Sequence, residues 1–245
     1  MNEPCEFLPW DSDFFGLRIA RVHACRLTAA SAAAISEWAN AHAIECLYFA
    51  ANPADAVTLR LAPQFGFDLI DLRVTLACAA AAWTFEPAQT AATRPAAVGD
   101  VDALRQIARV SHRESRFYQD GRFDERRCDE LFATWIAKSC DGYADVVLVA
   151  DLDGTPAGYI TGRIESGNRG TIGLVGIDPS KRRQGCGRAL LTSLLEWFVE
   201  RGIQQVSVVT QGRNADALSF YQSNAFDVVR IEPFYHRWSP RAESA

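Results

Sequence analysis

The amino-acid sequence predicts an α/β protein, in which strands and helices alternate along the chain. The clearest indication is the segment at residues 172–202, where an apolar run stops at Asp178-Pro179 and apolar residues then recur at helical spacing until Gly202. Residues 206–221 repeat the order, with an apolar strand before a helix that begins near Asn214. The first 85 residues show the same alternation.

Composition excludes several classes of protein. The chain has 245 residues, which suits one large or two small domains, and a net charge of -5, which argues against a nucleic-acid binder. It has no apolar run long enough to cross a membrane, and its first residues lack the features of a secretory signal, so we expect a cytoplasmic protein. The seven cysteines are scattered without a C-x-x-C pair, and neither a disulfide framework nor a metal site is expected.

Residues 1–85 are predicted to form a small α/β domain. Phe14 and Phe15 before Gly16 indicate a tight turn that leads into a short strand. Four further segments follow: a helix at residues 29–43, a strand at 46–50, a helix at 55–61 and a strand at 67–76. The stretch at residues 77–98 is rich in Ala, Thr and Pro and indicates a domain boundary.

Residues 93–239 are predicted to form a second domain. Asp100 is the expected N-cap of a first helix, and a second helix is expected to be capped near Asp124 after a polar and aromatic stretch. Two strands, at residues 146–150 and 157–164, are joined across Asp153-Gly154 as a hairpin. The predicted order is helix, helix, three strands, helix.

A basic glycine loop lies between the strand and the helix of residues 172–202. Gly185 and Gly187 allow the backbone to approach a bulky anion, and the amides of the first helical turn lack intrahelical partners. With the helix dipole, these amides favour a phosphate. Four cations concentrate here in a chain that is acidic overall: Lys181, Arg182, Arg183 and Arg188. The loop lacks the Gly-Lys-Ser/Thr ending of a P-loop and the third glycine of the dinucleotide fingerprint.

Two motifs resemble those of a known superfamily. Arg182-x-x-Gly185-x-Gly187 is similar to the Q/R-x-x-G-x-G/A signature of the GNAT N-acetyltransferases, and Asn214-x-x-Ala217-x-x-x-Tyr221 resembles their second signature. The resemblance implies a GNAT fold, a mixed central sheet with flanking helices. It also implies acetyl-CoA as the co-substrate, with its pyrophosphate held by the loop.

The resemblance extends to individual residues. Coenzyme contacts are implied for Val175, Gly176, Ile177, Arg182, Arg183, Gln184, Gly185, Cys186, Gly187, Arg188, Asn214 and Ala217. Tyr221 is implied to be the general acid that protonates the departing thiolate, although it could also be a core aromatic residue. An amide of the strand at residues 175–177 is implied to bind the thioester oxygen. No covalent intermediate is required, and Cys186 is not expected to be a nucleophile.

The N-terminal segment contains a short echo of the second domain. Residues 55–57 (DAV) and 67–70 (FDLI) resemble residues 216–218 (DAL) and 226–229 (FDVV). We interpret residues 1–85 as a smaller, truncated GNAT-like domain. It has no basic glycine loop and should not bind coenzyme A.

Five further stretches resemble the TDP-fucosamine acetyltransferases of enterobacterial common antigen synthesis. They are W-D-x-x-F-F-G at residues 10–16, SRF at 115–117, GRF at 121–123, T-Q-x-x-N at 210–214 and FYHRW at 234–238. Those enzymes acetylate the 4-amino group of a TDP-4-amino-4,6-dideoxy-galactose. The resemblance implies a homodimer and substrate contacts at Arg116, Phe117 and Tyr118. His112 and Glu114 could each serve as a base, but their positions are more typical of surface residues.

Other functions stay open on the sequence alone. A GNAT enzyme could take another amine, such as a protein N-terminus, a polyamine or an aminoglycoside. A non-catalytic module that binds acyl-CoA is a further alternative, and the presence of Tyr221 disfavours it.

Overall fold

A computed structural model describes residues 3–83, 91–152 and 154–239. The strands in these ranges are β1 (Cys5–Phe7), β2 (Ile19–Val22), β3 (Cys46–Ala50), β4 (Asp68–Ala79), β5 (Ala92–Pro95), β6 (Val146–Leu152), β7 (Thr155–Glu165), β8 (Arg169–Ile177), β9 (Gln205–Gln211) and β10 (Asp227–Trp238). They form one sheet in the order β1-β2-β3-β10-β4-β9-β8-β7-β6-β5. The β2–β3 and β8–β9 pairs are parallel and the others are antiparallel, so the predicted mixed sheet is confirmed.

Helices lie on both faces of this sheet. They are α1 (Pro9–Phe15), α2 (Ala29–Ala41), α3 (Ala56–Gln64), α4 (Val101–Ser111), α5 (Arg116–Asp120), α6 (Glu125–Lys138), α7 (Cys186–Val199) and α8 (Ala215–Gln222). Helix α7 packs on β5, β6 and β7, whereas α4 packs on α6 and on β7 and β8. Strand β3 shows the alternation: Tyr48 belongs to the core with α4 and α6, and Phe49 to a core on the opposite face.

The N-terminal and C-terminal parts of the chain interleave in the sheet. The last strand, β10, pairs with β3 on one side, where Tyr235 lies opposite Phe49, and with β4 on the other. Strand β4 also pairs with β9, with Arg73 opposite Gln211. The predicted division into domains at residues 1–85 and 93–239 stays a prediction, and residues 84–90 of the boundary lie outside the described ranges.

Most predicted elements are present, and the differences are local. Phe14 and Phe15 lie in α1 and not in a tight turn, although the chain does reverse at Gly16, whose φ is 67°. The stretch after α4 contains α5, and β5 precedes α4; neither was predicted. The hairpin of β6 and β7 is confirmed, but Asp153 of its predicted turn lies outside the described residues.

Asp100 occupies the N-cap position of α4, as the sequence predicted, but its side chain does not bond to the amides of that helix. Its carboxylate accepts hydrogen bonds from the Arg94 guanidinium at 2.6 and 2.9 Å and from the Ala97 amide at 2.7 Å. The Arg94 hydrogen bond lowers the pKa of this carboxyl. Asp100 therefore fixes β5 to the start of α4. By contrast, Asp124 does cap α6, because it accepts from the amide of Arg127 at 3.0 Å.

The two halves of the sequence echo have the same local structure. Helix α3, Phe67 and β4 follow one another as do α8, Phe226 and β10, and both phenylalanines are buried. The two strands are neighbours in the sheet. The interpretation as a half-copy stays a prediction. Among the described helices, none has the length and apolar character to cross a membrane.

Candidate functional site

A gap opens between β8 and β9 at their carboxyl ends. The two parallel strands pair from Arg169 opposite Gln205 to Ile172 opposite Val208, and no pair follows, although β8 continues to Ile177 and β9 to Gln211. Beyond this point β8 pairs with β7 and β9 with β4. In α/β sheets, ligands bind where neighbouring parallel strands diverge at their carboxyl ends. The gap is therefore the candidate functional site.

Amides of β8 point into this gap. The Asp178 amide donates to the Ala157 carbonyl at 2.9 Å, on the β7 side. Hydrogen-bonding direction alternates along an antiparallel strand, so the amide of Gly176 also faces β7, whereas those of Val175 and Ile177 face the gap. The Val175 and Ile177 amides can thus donate to an oxygen placed there.

The basic loop lies at the end of β8 and leads into α7. Gly185 precedes the helix with a φ of 81°, a left-handed conformation that favours glycine, and this N-cap residue supplies no side-chain hydrogen bond to the first turn. Arg183 also has a positive φ, 62°, which is uncommon for a residue other than glycine and is typical of functional loops. Among the described residues, its one ion pair is a long contact of 3.5 Å with Asp216, and both side chains are highly exposed. The uncapped amides and exposed cations fit the phosphates of a coenzyme.

Gly187 and Cys186 follow Gly185 in the loop and have different surroundings. A Cβ on Gly187 would meet only Phe220, at an ordinary distance of 3.6 Å, so packing within the chain does not require glycine there. Cys186 is buried beneath the loop, and burial raises the pKa of its thiol. That environment disfavours a nucleophilic thiolate.

Helix α8 begins at the carboxyl end of β9, opposite the loop. The Asn214 side chain caps it by accepting from the amide of Ala217 at 3.1 Å, so the helix begins where the sequence predicted. Tyr221 lies two turns further on and is 5% exposed. Burial raises the pKa of its phenol, which keeps the proton on the oxygen at neutral pH. The ring packs against Phe220 and Phe226.

One cleft of about 1440 Å³ connects these elements. The predicted residues that line it are Val175, Ile177, Arg182, Arg183, Gly185, Cys186, Gly187, Arg188, Asn214, Ala217, Tyr221 and Arg116. Gly176, Gln184, Phe117 and Tyr118 are not among the lining residues. The cleft reaches both faces of the sheet, because Tyr221 belongs to the core beneath α7 and Phe234 to the core beneath α4 and α6.

The three residues predicted to contact the substrate have different surroundings. Phe117 is buried among the rings of Phe15, Phe123 and Trp135. The Tyr118 hydroxyl donates to Asp129 at 2.6 Å. Arg116 is among the residues that line the cleft. Arg116 thus lies at the cleft, whereas Phe117 and Tyr118 contact other parts of the protein.

His112 is half-buried in the wall of the cleft. Its ring stacks on Phe132, and its Nε2 is 2.8 Å from the Tyr159 hydroxyl. Burial, together with the nearby Arg182, lowers the pKa of His112 to about 4. The Tyr159 ring passes over Gly176, where a Cβ would come within 2.7 Å of it, so glycine is needed at that position. Glu114 lines the cleft and is exposed.

The N-terminal part of the chain also lines the cleft. Asp11 comes from α1, Tyr48 from β3 and Arg73 from β4, and sequence reasoning assigned none of them a role. Asp11 does belong to the W-D-x-x-F-F-G stretch, and that resemblance was the sequence feature that could have identified Asp11 as a site residue.

Comparison with known proteins identifies one relative over most of the chain and others over part of it. The dTDP-fucosamine acetyltransferase of Escherichia coli is 28% identical over 95% of this chain and 97% of its own length. The spore coat polysaccharide biosynthesis protein SpsD of Bacillus subtilis is 27% identical over 59% of this chain, and this chain spans 50% of its length.

Solved structures share the fold at low sequence identity. A GCN5-related N-acetyltransferase from Sphaerobacter thermophilus has a TM-score of 0.67 and 17% identity, over 96% of this chain and 76% of its own. A conserved protein of unknown function from Staphylococcus epidermidis has a TM-score of 0.70 and 12% identity, over 98% and 93% of the two chains. The model of the acetyltransferase (GNAT) family matches residues 102–226, which contain the gap, the basic loop and Tyr221. The chain therefore belongs to the GNAT acetyltransferase family.

Proposed function

We propose that the protein transfers the acetyl group of acetyl-CoA to the 4-amino group of a TDP-linked amino-dideoxy sugar. The observation that carries the proposal is the gap between β8 and β9, which has a basic helix N-terminus on one side and reaches both faces of the sheet. A coenzyme and an acceptor can enter such a gap from opposite faces and meet inside it. The amine then attacks the thioester directly.

The coenzyme pyrophosphate is proposed to bind at the basic loop. The first-turn amides of α7 are uncapped and the dipole of this helix is positive at that end. Arg182, Arg183 and Arg188 are exposed around it, and Lys181 is partly exposed. Asn214 caps α8 with its side-chain oxygen, and its side-chain NH2 group can donate to the coenzyme.

Two groups are proposed to assist the acyl transfer. The amides of Val175 and Ile177 face the gap, where either can donate to the thioester oxygen as negative charge develops on it. Tyr221 keeps its proton at neutral pH and donates it to the departing thiolate. The nitrogen attacks as the neutral amine, after its ammonium proton has passed to water, and the proton that it gives up on forming the amide balances the one that Tyr221 donates. Because the acetyl group passes directly from sulfur to nitrogen, no covalent enzyme intermediate is needed.

The identity of the acceptor is supported by the relatives. The relative whose length this chain matches almost completely is a dTDP-fucosamine acetyltransferase, and a second relative acts in polysaccharide biosynthesis by its name. The first name supports a nucleotide-linked amino sugar as the substrate, and the second supports a role in polysaccharide synthesis. By the same resemblance, we propose that the protein is a cytoplasmic homodimer and that it requires no metal.

A thiol-release assay tests whether the protein is a catalyst. We expect free coenzyme A to appear when acetyl-CoA is mixed with the protein and TDP-4-amino-4,6-dideoxy-galactose, and the N-acetyl product to be found by mass spectrometry. If acetyl-CoA binds and no thiol is released with any amine, the protein is a binding module.

A further inference from the structure

A pocket on the α1 and α6 side of the cleft is formed jointly by both parts of the chain. We name it the acceptor pocket and define it by Asp11 of α1, Tyr48 of β3, Ser115 and Arg116 at the start of α5, and Phe234 of β10. All five line the cleft. None of them lies in the basic loop or in α8.

Three polar atoms of the acceptor pocket are buried without a partner. The Tyr48 hydroxyl, the Ser115 hydroxyl and the Arg116 Nε have no hydrogen-bond partner within the described part of the chain. Tyr48 is 2% exposed and Ser115 is 7% exposed. A buried polar atom without a partner costs free energy, and folded proteins contain few of them. Three in one pocket point to a ligand that supplies hydroxyl or similar groups.

Two opposite charges in the acceptor pocket are also unpaired. Across residues 3–83, 91–152 and 154–239, neither the Asp11 carboxylate nor the Arg116 guanidinium forms an ion pair. Burial raises the pKa of the Asp11 carboxyl, and the nearby Arg116 and Arg21 partly oppose the rise. Arg21 is already paired with Glu6 at 2.7 Å.

Aromatic rings hold the guanidinium in place. Arg116 Cζ lies 5.1 Å from the ring centre of Tyr48, 4.2 Å from that of Phe117 and 4.7 Å from that of Phe234. These cation–π contacts stabilise the charge without using its N–H donors. Those donors stay available to a ligand.

The end of α5 is fixed by a buried cluster behind the pocket. The Asp120 carboxylate bonds to His236 Nδ1 and accepts from Trp238 Nε1 at 2.9 and 3.1 Å. Both partners lie on β10. The cluster therefore holds Ser115 and Arg116 against Phe234, and the acceptor pocket is organised before a ligand binds.

We propose that the acceptor pocket binds an amino sugar, with Asp11 accepting from its ammonium group and Tyr48, Ser115 and Arg116 hydrogen bonding to its hydroxyl groups and ring oxygen. Carboxylates bind ammonium groups strongly where solvent is partly excluded. Aromatic walls with a few polar groups suit a sugar ring, which has apolar and hydroxyl-bearing sides. The inference rests on the proposed function and assigns amine recognition to the N-terminal part of the chain.

Calorimetric binding of two matched ligands tests the role of Asp11. TDP-4-amino-4,6-dideoxy-galactose carries the amine, and TDP-6-deoxy-galactose carries a hydroxyl in its place. We expect the protein to prefer the amine, and Asp11→Asn to weaken amine binding about 10- to 100-fold, the range for a hydrogen bond to a charged group, with little effect on the hydroxyl ligand. Asp13→Asn is the matched control, since Asp13 is exposed on the same helix, and it should bind both ligands as the wild type does.

Tyr48→Phe tests the pocket independently. It removes a buried hydroxyl that has no partner in the described residues, so the variant should melt at the same temperature as the wild type or higher, and bind both TDP-sugars about 2- to 10-fold more weakly. Tyr235→Phe is the control, because Tyr235 lies on β10, is buried in another core and does not line the cleft. It should leave sugar binding unchanged.

Some outcomes overturn the inference. If Asp11→Asn loses affinity equally for both ligands, or loses none, Asp11 does not recognise the amine. Unchanged sugar binding in Tyr48→Phe would show that the Tyr48 hydroxyl does not contact the sugar. If amine preference depends on Asp11 but no acetyl group is transferred to the sugar, the acceptor pocket stands and the proposed function fails.

Discussion

Ile172 of β8 and Val208 of β9 form the last residue pair between these two parallel strands. Beyond them the strands separate, and the sheet opens from one face to the other. Tyr221 lies on the α7 side of this opening and Tyr48 on the α6 side. The separation therefore explains how one cleft can be lined by both cores.

Tyr221→Phe should slow the reaction without weakening coenzyme binding. The change keeps the ring that packs on Phe220 and Phe226 and removes the proton donor. General acid catalysis contributes about 10²- to 10⁴-fold, so kcat should fall by that factor while acetyl-CoA affinity is nearly constant. Steady-state kinetics and calorimetry measure the two quantities. If the kcat of the variant lies within a few-fold of the wild-type kcat, Tyr221 is a core aromatic residue and not the general acid.

Arg183→Glu should weaken acetyl-CoA binding. Its guanidinium is highly exposed beside the uncapped start of α7, and reversal places an anion near the phosphates. An interaction between exposed charges is worth about 1 kcal/mol. The variant loses one attraction and gains one repulsion, so the Kd for acetyl-CoA should rise about 5- to 30-fold. The rise should be smaller at high salt, because salt screens exposed charges. Arg60→Glu, an exposed arginine on α3, is the control. An unchanged Kd for Arg183→Glu would argue against the loop as the pyrophosphate site.

Local patterns in the sequence were sufficient for the elements around the loop. Helix α7 has apolar residues at helical spacing, and the glycines and cations before it identify the loop. Helix α1 was missed because its two turns carry no such repeat. Contacts such as that of Trp10 with Trp135 on α6 stabilise it instead.

Long-range pairing was not visible in the sequence. Nothing local to β10 indicates that it lies between β3 and β4, because partner choice depends on tertiary packing. Asp11 and Tyr48 enter the cleft from elements far from the signature motifs, so the motifs identified the coenzyme side of the site better than the acceptor side.

A chain that begins at Thr93 should not fold. It would lack β4, which pairs with both β9 and β10, and would expose two strand edges in the centre of the sheet. We expect insoluble protein, and recovery of soluble protein when residues 1–85 are co-expressed. Gel filtration and circular dichroism measure both. A soluble shortened chain with full activity on the sugar would refute the structural and substrate roles of the N-terminal segment.

Acid should destabilise the protein partly through His112. Burial lowers the pKa of this histidine to about 4, so between about pH 6.5 and 4 the unfolded chain binds more protons than the folded one. The free energy of unfolding should thus fall as the pH falls through this range. The contribution is up to about 3 kcal/mol.

His112→Gln removes the titrating group and keeps a side chain that can bond to the Tyr159 hydroxyl. Urea unfolding at pH 7 and pH 4.5 should show a smaller loss of stability for this variant than for the wild type. An identical loss in both proteins would mean that His112 is protonated as easily in the folded chain as in the unfolded one.

The most direct test of the central claim is the kcat/KM of the protein for a panel of acceptors with acetyl-CoA. The panel contains TDP-4-amino-4,6-dideoxy-galactose, other TDP-amino sugars, a polyamine, an aminoglycoside and a peptide with a free N-terminus. We predict the highest kcat/KM for a TDP-amino sugar, with the acetyl group on its 4-amino nitrogen. A higher kcat/KM for any of the other amines would contradict the proposed function.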